Sequence, residues 1–144
     1  MRLASSVYHL YPSEMRRLFY IVALLVALSA CAGSTPEEAA AKAAKAYYDC
    51  LVEDFPEGFL EGKAGIDSLP DAYCEQLVQA CHQYVADVIR KHGGLLEVRV
   101  SDNVGRTDES LGLTYAFLLL NYADSAQEEI TVPMVEVNGE WKMK

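Results

Sequence analysis

The 144-residue chain is short of several things at once, and each shortage closes off a class of function. It has no CxxC pair, which removes a zinc ribbon and a thioredoxin-type redox motif. GxSxG, HExxH, the phosphate-binding loop and GxGxxG are all missing, so no motif implies a metal or a cofactor. Basic residues are few: 12 Lys and Arg against 21 Asp and Glu give a net charge of −9. With no basic stripe to neutralise phosphates, nucleic acid is excluded as a partner, as is a surface that lies flat on anionic lipid. Nor is there an apolar run long enough to cross a bilayer, which takes about 20 residues. Internal repeats and low-complexity linkers are also absent.

The first thirty residues are the least domain-like part of the chain. Arg16 and Arg17 precede an uncharged run, Leu18 to Ala30, of the length of a signal-peptide core. It closes on Leu28-Ser29-Ala30-Cys31, which resembles the lipobox of bacterial lipoproteins. Small residues before the cysteine open the backbone to a signal peptidase, and the Cys31 thiol is the acceptor of a diacylglyceryl group. The resemblance implies cleavage after Ala30 and fatty acylation of Cys31. At about 0.8 kcal/mol per buried CH₂, two or three acyl chains hold the protein on a membrane almost permanently. Residues 1–14 precede a signal that reads as ordinary from Met15, so translation is expected to start there. The absence of Asp after the cysteine (Ala32) favours an outer-membrane location in the envelope of a Gram-negative bacterium.

Removing residues 1–30 removes a charge of +2, three arginines against Glu14, and leaves −11 on residues 31–144. So acidic a surface reads as solubility. Residues 31–35 form a tether that reaches at most roughly 18 Å, and residues 36–144 are long enough for one core.

Three cysteines remain in that part: Cys50, Cys74 and Cys81. Cys74 and Cys81 are seven residues apart on one expected helix, about 10.5 Å along its axis, too far for a disulfide. A bridge therefore uses Cys50, with Cys81 or with Cys74 in its place. The alternative is three free thiols packed as small hydrophobes.

Thr35-Pro36-Glu37-Glu38 has the form of a capping box with proline at the first helical position. The helix it opens is expected to bury Ala39, Ala43, Ala46, Tyr47, Cys50 and Leu51, and to stop near Asp54. A short helical piece follows at Phe55 to Leu60, then a loop from Gly62 to Pro70. Asp71 to His92 is a long helix. Its wide apolar face runs from Tyr73, Cys74, Leu77 and Val78 to Val88 and Ile89, and Gly93-Gly94 ends it. The remainder alternates with period two. Leu95 to Ser101 is a strand, Asp102 to Glu109 a turn, and Leu111 to Leu120 a long strand covered on both faces. In Glu129 to Val137, Pro133 marks an edge or bulge. Asn138-Gly139 makes a hairpin turn into Glu140 to Lys144. Helices segregated ahead of strands give an α+β fold: one short and two longer helices on a four-stranded antiparallel sheet.

The stretches Pro36-Glu37 through Tyr47-Tyr48, Leu69 to Tyr73, Gln83-Tyr84-Val85, His92-Gly93-Gly94, Thr131 to Val135 and Gly139 to Lys142 resemble the nuclear-transport-factor-2-like superfamily. In particular they resemble its small bacterial lipoproteins, which have no established activity. The resemblance implies a cone-like domain with a curved sheet and a pocket between sheet and helices. Some members are isomerases or dehydratases that use a pocket carboxylate or histidine as general base. Tyr47, Tyr48, Tyr73, Tyr84, Tyr115 and Phe117 are the candidates to line such a pocket, and the same set fits a plain core. Among the histidines, His82 falls on the flank of the long helix and His92 reads as a helix-terminal cation. No catalytic residue is assigned. The leading expectation is a non-catalytic, lipid-anchored domain that binds a small apolar ligand or a partner protein of the envelope. The alternatives are an isomerase- or dehydratase-like enzyme and a structural subunit of an envelope complex. A homodimer through the sheet is a further expectation, with Leu118 and Leu120 as the side chains to watch.

Overall fold

The computed structural model describes residues 34–144. The signal segment, Cys31 and the first residues of the tether lie outside that range. Thr35–Lys144 forms one compact unit. It contains helix α1 (Pro36–Val52), the short helix α2 (Pro56–Glu61), a 3₁₀ turn at Ile66–Ser68 and the long helix α3 (Asp71–His92). Strands β1 (Leu95–Asp108), β2 (Leu113–Tyr122), β3 (Gln127–Val137) and β4 (Glu140–Met143) follow. The strands form one antiparallel sheet in sequence order. The class is α+β, three helices ahead of a four-stranded sheet, as the sequence predicts.

The capping box forms. The Glu38 amide donates to Thr35 Oγ1 and the Thr35 amide to Glu38 Oε2, each at 3.2 Å. The buried stripe of α1 differs in part from the predicted one: Leu51 is buried as expected, but the buried alanines are Ala40, Ala41 and Ala44, while Ala46 is exposed. Alanine fills both faces of this helix between residues 39 and 46, so its pattern of small residues carries no phase. The three buried alanines are at most 1% exposed and let the helix backbone sit close on β1 and β2.

Strand β1 is longer than its apolar alternation suggests. It continues to Asp108 through an irregularity between Val100 and Gly105, where the four intervening residues of β1 oppose Phe117 alone on β2. Val104 takes a left-handed φ of 57° there. At Gly105 an added Cβ would lie 2.5 Å from the Tyr115 carbonyl oxygen, so only glycine lets the strand rejoin its partner. The expected turn at Asp102 to Glu109 is thus mostly bulged strand. The true turn follows it, with Asp108 Oδ1 accepting from the amides of Ser110 and Leu111.

On β2 the even-numbered residues face the helices. Ala116, Leu118 and Leu120 are at most 1% exposed and form the core with Val98, Met134 and the alanines of α1. Tyr115, Phe117 and Leu119 occupy the other face of the sheet and are half-buried. Leu118 and Leu120 are therefore spent within the domain, and association through the sheet has to use the odd-numbered face. Asn138-Gly139 turns with positive φ at both residues, as a two-residue hairpin requires.

Helix α3 ends where predicted, with Gly93 at φ 79° and its amide bonded to the Ile89 carbonyl. Its apolar face is not buried as predicted. Val88 alone of this helix is buried, while Tyr73 is 46%, Tyr84 39% and Ile89 55% exposed. The helix borders an open cleft, and much of the apolar face forms its wall.

Candidate functional site

The cleft lies between α3 and the β3 side of the sheet and has a volume of about 740 Å³. Helix α3 contributes Leu77, Ala80, Cys81, Tyr84 and Val88, which recur at helical spacing along one side. Tyr48 and Leu51 of α1 close the inner end with Phe59 and Leu60 of α2, the Tyr48 and Phe59 rings meeting edge to face at 5.1 Å. Ile130 and Val132 of β3, with Met143 of β4, form the floor. Lys63, Lys91 and Lys144 stand on the rim with Asp87 and Glu128. The lining is chiefly apolar with a few polar groups, the usual make-up of a binding pocket.

One end carries a polar network. The Tyr122 hydroxyl donates to Glu128 Oε2 at 2.7 Å. The His92 ring stacks on Tyr122 with centroids 4.2 Å apart, and its Nδ1 lies 2.8 Å from Asp124 Oδ2. The Asp124 carboxyl is held below the ordinary carboxylate range chiefly by that bond to His92. Burial pushes the phenol of Tyr122 up, and the neighbouring Glu128 carboxylate adds to the effect. Burial likewise raises Tyr84, and it pushes Tyr48 up to about 12. All three phenols are neutral hydrogen-bonding groups at physiological pH.

Of the residues expected to line a pocket, Tyr48 and Tyr84 do. Tyr47 instead ties α1 to β4, donating from its hydroxyl to the Trp141 carbonyl at 2.8 Å, with Lys142 Nζ 5.7 Å from its ring centre. Gly62 lies flat against that ring, where an added Cβ would come within 2.4 Å of it. Tyr73 is exposed near the start of α3. Tyr115 and Phe117 sit on the far face of the sheet, Tyr115 under the Arg106 guanidinium at 5.4 Å. Tyr122, which was not expected, lines the cleft in place of Tyr115 and Phe117. Tyr122 shares the parity of Leu118 and Leu120, so the phase of β2 was the signal that could have found it. His92 is more than a helix-terminal cation, because the turn after β2 brings Asp124 to it across 32 residues of sequence. His82 is solvent-exposed, with Nδ1 3.8 Å from Asp54.

Cys50, Cys74 and Cys81 are all free thiols. Cys50 lies beneath Gly58 of α2, where an added Cβ would come within 2.8 Å of its Sγ. Cys74 Sγ faces the Ile66 carbonyl at 3.9 Å, and Cys81 lines the cleft. Burial raises the thiols of Cys50 and Cys81, and nearby carboxylates add to the shift. Both are therefore protonated and poor nucleophiles. Among the described residues, no group of three or more His, Cys, Asp or Glu is placed to hold a metal ion.

No family model matches the sequence, and no curated protein matches it. The architecture does have a counterpart among solved structures, a Campylobacter jejuni protein provisionally named an NTF2-like transpeptidase. The match covers 76% of this chain and 97% of that one, with a TM-score of 0.56 and 12% sequence identity. The domain has the NTF2-like fold. At that identity the likeness extends to the fold alone, and a fold does not by itself carry a function.

Proposed function

We propose that this protein is a lipid-anchored binding domain of the bacterial cell envelope. It is held through Cys31, and its cleft receives an apolar group carried by a small ligand or a partner protein. The observation that carries the reading is the uncovered apolar face of α3, which forms one wall of the cleft rather than part of a filled core. A helix of 22 residues that buries only Val88 leaves apolar area whose removal from water stabilises a complex, at about 25 cal/mol per Å² before the costs of association. The neutral thiols and the acidic surface fit a binder better than a nucleophilic enzyme or a nucleic-acid protein.

Two measurements test the two halves of the proposal. In cells, labelled palmitate should enter the wild-type protein and not the Cys31→Ser variant; equal labelling removes the anchor. In solution, the neutral apolar dye N-phenyl-1-naphthylamine should bind saturably, and Leu77→Glu should weaken it at least tenfold. A dye that does not bind, or binds the variant equally, removes the cleft.

The His92–Asp124 pair favours a second reading, an isomerase- or dehydratase-like enzyme. With Nδ1 engaged by Asp124, Nε2 is the nitrogen available to accept a proton from a molecule in the cleft. Turnover of a β,γ-unsaturated ketone or a β-hydroxyacyl thioester that is lost in His92→Asn supports it. No turnover, or turnover that survives the substitution, removes it.

A further inference from the structure

We propose that the open edge of β3 inside the cleft is a docking site for an extended peptide segment of a partner protein. The segment adds as a strand in line with β4 and carries apolar side chains at alternate positions. This rests on the cleft being a binding site and names what it binds.

Strand β4 pairs with Met134 to Val137 of β3, and the last rung is the Lys144 amide donating to the Pro133 carbonyl at 2.9 Å. Successive residues of a strand direct their backbone groups to opposite edges. With Pro133 facing the β4 side, the amides and carbonyls of Thr131 and Glu129 face that side too. Those of Val132, Ile130 and Glu128 face β2, opposite Ala116, Leu118 and Leu120. Past Pro133 no strand covers the Thr131 and Glu129 edge among the described residues. Unpaired groups of this kind are a template for another strand.

The position of this edge separates it from an ordinary sheet margin. Thr131 and Pro133 belong to the cleft wall although their side chains belong to the outer face of the sheet, so they reach the cleft through the strand edge. A strand added there would place one set of side chains over the floor of Ile130 and Val132, against Leu77 and Val88 of α3. The other set would point to the solvent beside Thr131. That geometry selects period-two alternation over the five or six residues that span Glu128 to Pro133, about 17 Å.

Charge narrows the partner. Asp87 is occupied by Arg90 and Glu128 by the Tyr122 hydroxyl. Lys63, Lys91 and Lys144 on the rim have no ion-pair partner among the described residues. They favour a segment with acidic flanks. A second copy of residues 31–144, net −11, meets the whole domain's like charge on approach.

The test uses the full chain in lipid nanodiscs and a fluorescein-labelled peptide, Glu-Val-Thr-Val-Thr-Val-Glu, read by fluorescence polarisation. Saturable binding is expected. N-methylation of the peptide amides in one alternate register should weaken it at least tenfold, and methylation in the other register should change little. Thr131→Pro removes an edge amide that makes no bond within the sheet, as proline two residues on already does. It should weaken the peptide at least tenfold while leaving the melting temperature in place. Equal effects of both methylation registers overturn the proposal, and need no variant to fold. So does unchanged binding to a folded Thr131→Pro. Concentration-dependent dimerisation that Thr131→Pro abolishes also overturns it, assigning the edge to a second copy. If the naphthylamine dye binds and the peptide does not, the peptide proposal fails and the cleft reading stands. If neither binds, both fail.

Discussion

Helices α1 and α3 are both amphipathic, and the domain uses them in opposite ways. Helix α1 presents alanines that are almost fully excluded from solvent, its backbone lies close on β1 and β2, and its first turn is closed by a capping box. Helix α3 is longer and carries larger apolar side chains, yet only Val88 is buried. Size of the apolar face thus runs opposite to burial. Small residues allow close approach of backbone to sheet, and close approach fills space with main-chain atoms. Large residues on a helix held away from the sheet leave room between them. One half of the domain is closely packed and the other is open as a cleft, and the two share one sheet.

That contrast can be broken most severely at Leu118, which is fully buried beneath α1. Leu118→Ala removes buried methyl groups and leaves a cavity in the part of the core with least freedom to collapse, and should cost about 3 kcal/mol in urea unfolding. Leu77→Ala, on the cleft wall, should cost less than about 1 kcal/mol, because that side chain already faces open space. Similar losses at the two positions would mean that the cleft is closed in solution and the halves are packed alike. Between these lies Thr35→Ala, which removes the side-chain acceptor for the Glu38 amide. It should destabilise by about 1 kcal/mol with little change in dye binding, since the cap belongs to the well-packed half.

These differences also explain what was legible from the amino-acid sequence. Strand order, the hairpin at Asn138-Gly139, the cap at Thr35 and the stop at Gly93 rest on local chemistry, and each stands as read. The phase of α1 was not legible, because alanine at both buried and exposed positions leaves nothing for periodicity to act on. The continuation of β1 past Val100 was hidden by a bulge rich in polar residues, since the pattern marks which face is covered and not where pairing ends. At the site, Tyr84 was legible from its place on the face of α3. Tyr48 was legible as well; Tyr122 was missed, and Tyr115 and Phe117 were expected in its stead. Alternation on β2 is apolar on both faces, and only the position of α1 decides which parity is inside. The wide apolar stripe of α3 was read correctly as a stripe. Whether such a stripe meets a core or a cleft depends on the distance between two elements, and no local pattern encodes that.

A smaller effect sharpens the comparison through pH, because the two halves present different titrating groups. Tyr48 lies where α1 meets the cleft, and its phenol is pushed up to about 12, first by burial. An unfolded tyrosine ionises near 10. The folded state holds the proton longer, so this contribution is fully present below about pH 10 and is lost as pH rises from there toward 12. Absorbance at 295 nm should show a late-titrating phenol whose ionisation accompanies loss of the fold. Tyr48→Phe should shift the alkaline unfolding limb to higher pH.

Asp124 is the weakest lever and acts at the other end of the scale. Its carboxyl is depressed by His92, so the stability it lends is present above the unfolded carboxyl range near 4. That stability is lost as pH falls through the lower folded value. The group is exposed, and solvent screening keeps the effect small. Asp124→Asn should therefore flatten the acid limb of the urea midpoint against pH by a slight amount, leaving the alkaline limb unchanged. The consequence at the cleft should be larger than the consequence for stability. The substitution replaces a pure acceptor with an amide that can accept from or donate to His92 Nδ1, so the ring is no longer held in one tautomer. The ¹³C and ¹⁵N shifts of the His92 ring, followed with and without N-phenyl-1-naphthylamine, should report a mixed tautomer in the variant and a single one in the parent protein. A parent ring that already samples both tautomers would mean that Asp124 does not orient it, and the polar end of the cleft would then be as loosely held as the apolar wall of α3.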